Sequence, residues 1–174
     1  MNRLISDISD YTRTQVEVEK QKFNKFDLIN FINDLVLSFA QNNKKIMILL
    51  DSSDSEIIVQ ANIDKLAQVF INLIENAISF SPQESNILIK QVKKNDKVRI
   101  YVADQGCGIN EKLKDRIFER FYTDRQGTND YHTGLGLSIS KKIMETLGGS
   151  LELSDKIQDS YMGACFKLEL PIKA

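Results

Sequence analysis

Residues Lys97–Ala103, KVRIYVA, alternate strictly, with Val98, Ile100 and Val102 in one phase and Arg99 and Tyr101 in the other. A period of two is the mark of a strand with one face in a core. The apolar phase runs on to Asp104, the first residue of DQGCGI (104–109), where Gly106 and Gly108 follow at a spacing of two. A carboxylate aimed into a core is unfavourable unless hydrogen-bond donors meet it there. Either the backbone of the turn supplies them or a ligand does.

The rest of the chain interleaves strand and helix periods. The first stretch, up to about residue 22, reads as an amphipathic helix with Leu4, Ile5, Ile8, Tyr11 and Thr12 on one stripe, and a hinge-like polar patch, KQKFNK, follows. Asp27 can cap a second helix carrying Leu28, Phe31, Ile32, Leu35, Val36 and Phe39. Short strands at 45–51 and 56–60 are joined by a Ser/Asp turn, and a long helix over Ile63–Phe80 stops at Ser81-Pro82. A hairpin follows, with strands at 86–93 and 97–103, then a short helix near 111–118 and a polar loop. A helix opening at GLGLSIS ends at Gly148-Gly149, and the strands SLELS and ACFKLELP close the chain. Interleaved helices and adjacent antiparallel hairpins predict an α+β fold, a two-layer sandwich with helices on one face of a mixed, mostly antiparallel sheet.

Composition narrows the partners. The 174 residues suffice for one sizeable core, and a formal charge of -1 gives no electrostatic case for nucleic acid or an anionic membrane surface. No apolar run has the length of a transmembrane helix, so the chain itself makes no membrane contact and reads as cytoplasmic. Whether a parent protein is membrane-anchored stays open. The two cysteines, Cys107 and Cys165, lack metal-ligand spacing and read as reduced thiols.

Two further features carry chemistry. On the long helix, Leu66, Phe70, Leu73 and Ala77 form an apolar stripe, while Gln68, Asn72, Glu75, Asn76 and Ser79 form a narrow polar one. Asparagine is a mediocre helix former, so a pair at i, i+4 is not there for propensity. A solvated face is the plain alternative, yet exposed faces of this chain are charged, as in EKLKDR. Amide oxygens are hard neutral ligands of the kind Mg²⁺ accepts beside phosphate. In HTGLGLSIS, Gly134 and Gly136 sit where a helix begins, leaving unpaired backbone N–H groups at the positive end of its dipole. Tight packing explains a lone G-x-G equally well. Together the three features divide one ligand: an amine-bearing base for Asp104, Mg²⁺ and phosphate oxygens for Asn72 and Asn76, and phosphates for the turn 134–137.

NLIENAISFSP, DQGCGI, IFERFY and TGLGLSIS, in this order, resemble the N, G1, F and G2 boxes of sensor histidine kinases. Their ATP-binding domain groups with the gyrase, heat-shock chaperone and mismatch-repair ATPases, and the resemblance runs from about Phe26 to Pro171. It implies the Bergerat ATP-binding fold over residues 23–174, preceded at 1–22 by the end of a dimerisation helix, to which NRLISDISDYTR is similar. It implies ATP and Mg²⁺ as ligands, with Asn76 on the metal, Asn72 assisting at the phosphates and Asp104 on the adenine amine. Gly106 and Gly108 would let the backbone approach the base, which Ile109 and Leu137 would line. Thr133, Gly134, Leu135 and Gly136 would hold phosphate, and Phe118 and Phe121 would anchor a lid at about 118–133.

The ATPase branches of that superfamily usually carry a glutamate where Asn72 stands, and asparagine cannot activate water. Glu75, one residue before Asn76, lies about a hundred degrees round the helix from it and is not read as a water-activating base. The resemblance therefore implies a protein histidine kinase of a two-component system, with a dimerisation and histidine-phosphotransfer domain of the same homodimeric parent and a response regulator receiver domain as partners. The one histidine, His132, lies in the lid and lacks the surroundings of a phosphoacceptor, so the acceptor is outside this chain. Two cationic positions depart from the family's pattern, with Ser79 and Thr123 standing where lysine and arginine are frequent. Arg125 is the lid cation that compensates best. A degenerate nucleotide-binding scaffold and an anti-sigma-type serine kinase remain the alternative readings.

Overall fold

The computed structural model describes residues 22–42, 46–122, 134–155 and 157–172. The predicted N-terminal helix and the lid residues 123–133, with Thr123, Arg125, His132 and Thr133, lie outside the described residues. In chain order the elements are β1 (Asn24–Asp27), α1 (Leu28–Asn42), β2 (Met47–Ser52), β3 (Ile58–Ala61), α2 (Ile63–Phe80), β4 (Asn86–Lys94), β5 (Lys97–Ala103), α3 (Gly136–Thr146), β6 (Ser150–Leu153) and β7 (Cys165–Pro171).

Five strands form one sheet in the order β2-β4-β5-β7-β6. β2 runs parallel to β4 and the other pairings are antiparallel, so the expected mixed, mostly antiparallel sheet is present. One face of it, carrying Ile87, Ile89, Val98, Ile100, Val102, Phe166, Leu168 and Leu170, shares a single core with α1, α2 and α3. α1 contributes Leu28, Ile32 and Val36, and α2 contributes Leu66, Val69, Phe70, Leu73, Ile74 and Ala77. Each fully buried large side chain contributes about 1.5–3 kcal/mol. That outweighs the few tenths of a kcal/mol that each asparagine costs α2 in propensity. Packing, not propensity, holds this helix.

Both ends of α2 are capped as local chemistry dictates. Asn62 Oδ1 accepts from Lys65 N at 2.9 Å, and Ser81 N donates to Ala77 O at 3.1 Å before Pro82 ends the helix. Asp27 caps α1 by accepting from Ile29 N at 3.1 Å, and the same oxygen accepts from Ile57 N.

Two local expectations change. The polar patch before Asp27 is not a hinge: Asn24–Asp27 is a strand that pairs antiparallel with β3 as a separate two-stranded sheet. The pairing is tertiary, aided by Phe26 against Phe31 at 5.3 Å, and leaves no local signature. The Ser/Asp turn carries the chain from β2 to β3, which lie in different sheets, β2 beside β4 and β3 beside β1. The expected helix at 111–118 is two 3₁₀ turns, Glu111–Leu113 and Arg116–Phe118, with Asn110 capping the first.

The other face of the sheet is charged along most of its length. Glu169 accepts from Lys97 at 2.8 Å and Arg99 at 2.9 Å, and Lys167 pairs with Glu152. At the Asp104 end it turns apolar, where Tyr161 and Ile157 cover Leu88, Ala103 and Cys165. This cover brings the segment before β7 back to the end of β5.

Candidate nucleotide site

Asp104 is 4 % exposed and directly follows β5. Its backbone continues the ladder with β7, its N–H donating to Ala164 O and its carbonyl accepting from Gly163 N, both at 3.0 Å. Its side chain turns back into the same corner, where Oδ1 accepts from Gly106 N at 2.8 Å and Ala164 N at 3.0 Å. Half of the donor question is thus answered by backbone. Both described bonds end on Oδ1, so Oδ2 keeps its lone pairs for another donor. Burial pushes the carboxyl above its ordinary 3.8, and the two amides pull it down without cancelling that.

The glycines around Asp104 are there for close approach. A Cβ on Gly106 would stand 2.5 Å from Phe80 O, at the end of α2, and one on Gly163 would overlap Asp104 Oδ1 itself. Gly108 has φ +76°, the left-handed region that glycine enters without strain. Gln105 ties the corner to its neighbours, accepting from Asn86 N at 2.7 Å and donating to Ser160 O at 2.9 Å.

The polar stripe of α2 lies against the start of α3. Asn72 Nδ2 donates to Gly136 O at 3.4 Å and Ser140 Oγ at 3.2 Å. Asn76, one turn on, is partly exposed, and its amide makes no described hydrogen bond. Ile139 N is the first amide to close a turn of α3, on Leu135 O at 2.9 Å. Gly136, Leu137 and Ser138 therefore present first-turn N–H groups with no intrahelical acceptor. Gly134 has φ +67°, and a Cβ there would meet Phe121 C and Tyr122 O at 2.6 Å. Gly136 is not crowded in this way, its nearest neighbour being Asn72 at 3.6 Å. Leu135 is 2 % exposed with its side chain packed in the core, while Ile109 and Leu137 are half-buried on the core's edge.

Of the two aromatic rings expected to anchor the loop before Gly134, Phe118 packs edge-on to Phe166 at 6.3 Å with Lys141 Nζ over its ring at 4.9 Å. Phe121 does not pack: it is 67 % exposed and sits at φ 61°. Tyr122 is held instead by the Arg116 guanidinium, 4.8 Å above its ring.

Sequence reasoning missed Gly163, Ala164 and Ser140. Gly163 and Ala164 act through backbone, sixty residues from Asp104, and their only trace is a glycine just before a strand, where no turn needs one. Ser140 is a lone hydroxyl on the apolar side of α3, fully buried, and only the fold reveals its partner.

These residues fit a nucleotide better than a free metal ion. Among the described residues no group of three His, Cys, Asp or Glu side chains could hold a metal. Two neutral amides alone make a weak cation site, so a divalent ion here needs further oxygens such as phosphates supply. The buried acceptor, the two asparagine amides and the first-turn amides of α3 lie at the end of β5, along α2 and at the start of α3.

Comparison with known proteins agrees. Sensor protein ChvG of Rhizobium meliloti (strain 1021) is 38% identical over 98% of this chain, which spans only 32% of that relative's length. The catalytic domain of histidine kinase ThkA superposes with a TM-score of 0.76 at 30% identity, covering 86% of this chain and 95% of that one. ThkA in complex with response regulator protein TrrA gives 0.81 at 27% identity, over 99% of this chain and 48% of that one. Residues 61–174, from the end of β3 through the Asp104 corner to the last strand, match as a unit, and the chain belongs to the histidine kinase-, DNA gyrase B-, and HSP90-like ATPase family.

Proposed function

We propose that this chain is the ATP-binding catalytic domain of a sensor histidine kinase, binding Mg·ATP and passing the γ-phosphoryl group to a histidine on a dimerisation domain of the same parent. The observation that carries the reading is Asp104, a buried carboxylate with one oxygen held by two backbone amides and the other left to accept. In this reading Oδ2 accepts from the exocyclic amine of adenine. Gly106 and Gly108 bring the backbone up to the base, and Ile109 and Leu137 line its apolar edge. The first-turn amides of Gly136, Leu137 and Ser138 hold phosphate oxygens, and the family resemblance assigns Thr133 and Arg125 to a lid.

Asn76, with Asn72 beside it, would hold Mg²⁺ against the phosphates, and the ion would supply charge neutralisation there. In the transfer, the bond from the γ-phosphorus to its bridging oxygen breaks, ADP leaves with the electron pair, and a phosphorus–nitrogen bond forms to the imidazole. The domain's part is positioning and charge stabilisation. Asn72 cannot serve as a general base toward water, which favours transfer over hydrolysis. The ThkA–TrrA complex supports a receiver domain as the onward acceptor, and residues 1–22 are read as the end of the dimerisation helix of a homodimeric parent. No helix among the described residues is long and apolar enough to cross a membrane.

The test supplies a separate dimerisation hairpin bearing an acceptor histidine, with ATP labelled at the γ-position. Acid-labile, base-stable label on the hairpin supports the kinase. Nucleotide binding with no transfer to any hairpin favours a scaffold, a reading to which serine at position 79 also points. Label on a serine would point to the serine-kinase branch.

A further inference from the structure

We propose that Ser140 is a positioning residue for Asn72, fixing which end of its amide faces the nucleotide. The inference rests on the reading of this site as one for Mg·ATP. Ser140 is 0% exposed, in the middle of an otherwise apolar face of α3, and its hydroxyl oxygen accepts from Asn72 Nδ2 at 3.2 Å. The same nitrogen reaches Gly136 O at 3.4 Å. A carbonyl oxygen only accepts, so the nitrogen end of the amide must face α3. An amide has two hydrogens, and these two acceptors take one each.

Two consequences follow. Asn72 has no hydrogen left to donate to a phosphate oxygen, so it meets the ligand with Oδ1 alone. That oxygen lies beside Gly136, 3.6 Å from where a Cβ would stand, at the first turn of α3. A neutral oxygen beside a polyphosphate is useful to a cation or to a water that the cation holds, and repels the phosphate oxygens themselves. Asn72 thus serves the metal, and Ser140 is what keeps it there. Without the hydroxyl, the longer bond to Gly136 O alone restrains a side chain with two free torsions.

The test measures affinity for ATP, with Mg²⁺ and with the metal chelated, on the whole chain and on Ser140→Ala, Asn72→Ala and the double variant. For Ser140→Ala, affinity in Mg²⁺ should fall about threefold to tenfold, as for a lost buried hydrogen bond. Affinity without metal should stay at its original value. The melting temperature of the ligand-free variant should fall modestly, since Asn72 loses a buried hydrogen-bond partner in the free fold as well. In the Asn72→Ala background, Ser140→Ala should cause no further loss. Equal losses with and without metal, or additive losses in the double variant, would overturn the positioning role while leaving the nucleotide site intact. No ATP binding by the unaltered chain would overturn both.

Discussion

Gly163 leaves no room for a side chain against Asp104: a Cβ there would overlap Oδ1 and crowd Gly106 N, 2.5 Å away. The corner is assembled from three stretches of chain, the end of β5, the turn after it and the approach to β7, and the missing Cβ is what lets them meet. Gly163→Ala is therefore expected to destabilise the protein by about 1–3 kcal/mol, as overpacked interiors do, and to abolish nucleotide binding. Gly136→Ala is the control, since its Cβ would meet nothing closer than 3.6 Å. Urea denaturation of both variants checks the contrast.

How far the sequence reveals this corner depends on whether a role is carried by period or by contact. The alternation of Val98, Ile100 and Val102 announces both the strand and the buried phase of Asp104, because a period of two is local. The stripes of α2 are equally local, and the four residues of its apolar stripe, Leu66, Phe70, Leu73 and Ala77, are all buried. Gly163, Ala164 and Ser140 act on residues about sixty positions away, through backbone or a single hydroxyl, and no local pattern records that. β1 was hidden for the same reason, being a four-residue strand whose partner is β3.

Acid should stabilise the ligand-free fold at Asp104. Its folded pKa is raised by burial above the ordinary 3.8, so its contribution is fully present below that value and is lost as pH rises through the folded pKa. Asp104→Asn removes this titration. The ligand-free variant should be more stable than the unaltered chain at neutral pH, and the difference should shrink as pH falls toward 3.8. Denaturation midpoints across that range measure it, and a variant less stable at neutral pH would show that the amide bonds to Oδ1 outweigh burial.

The two thiols should react very differently. Cys107 is exposed between Gly106 and Gly108, whereas Cys165 is 2 % exposed and its thiol is pushed up to about 11, chiefly by burial and then by the nearby Asp104 carboxylate. A thiol-specific reagent at neutral pH should label Cys107 alone in the folded chain and both residues in denaturant. Rapid labelling of Cys165 in the folded chain would mean that the cover formed by Tyr161 opens readily.

The nucleotide site itself is tested most directly by the affinity for ATP, with Mg²⁺ and with the metal chelated, of this chain and of Asp104→Asn. The account predicts saturable binding that Mg²⁺ strengthens and that Asp104→Asn weakens about tenfold or more, the scale of a lost hydrogen bond to a charged group. ATP at about a hundred times its dissociation constant should also stabilise the unaltered chain by about 2.7 kcal/mol. Failure to bind ATP, or equal binding by the two proteins, would contradict the assignment of Asp104 and with it the proposed kinase.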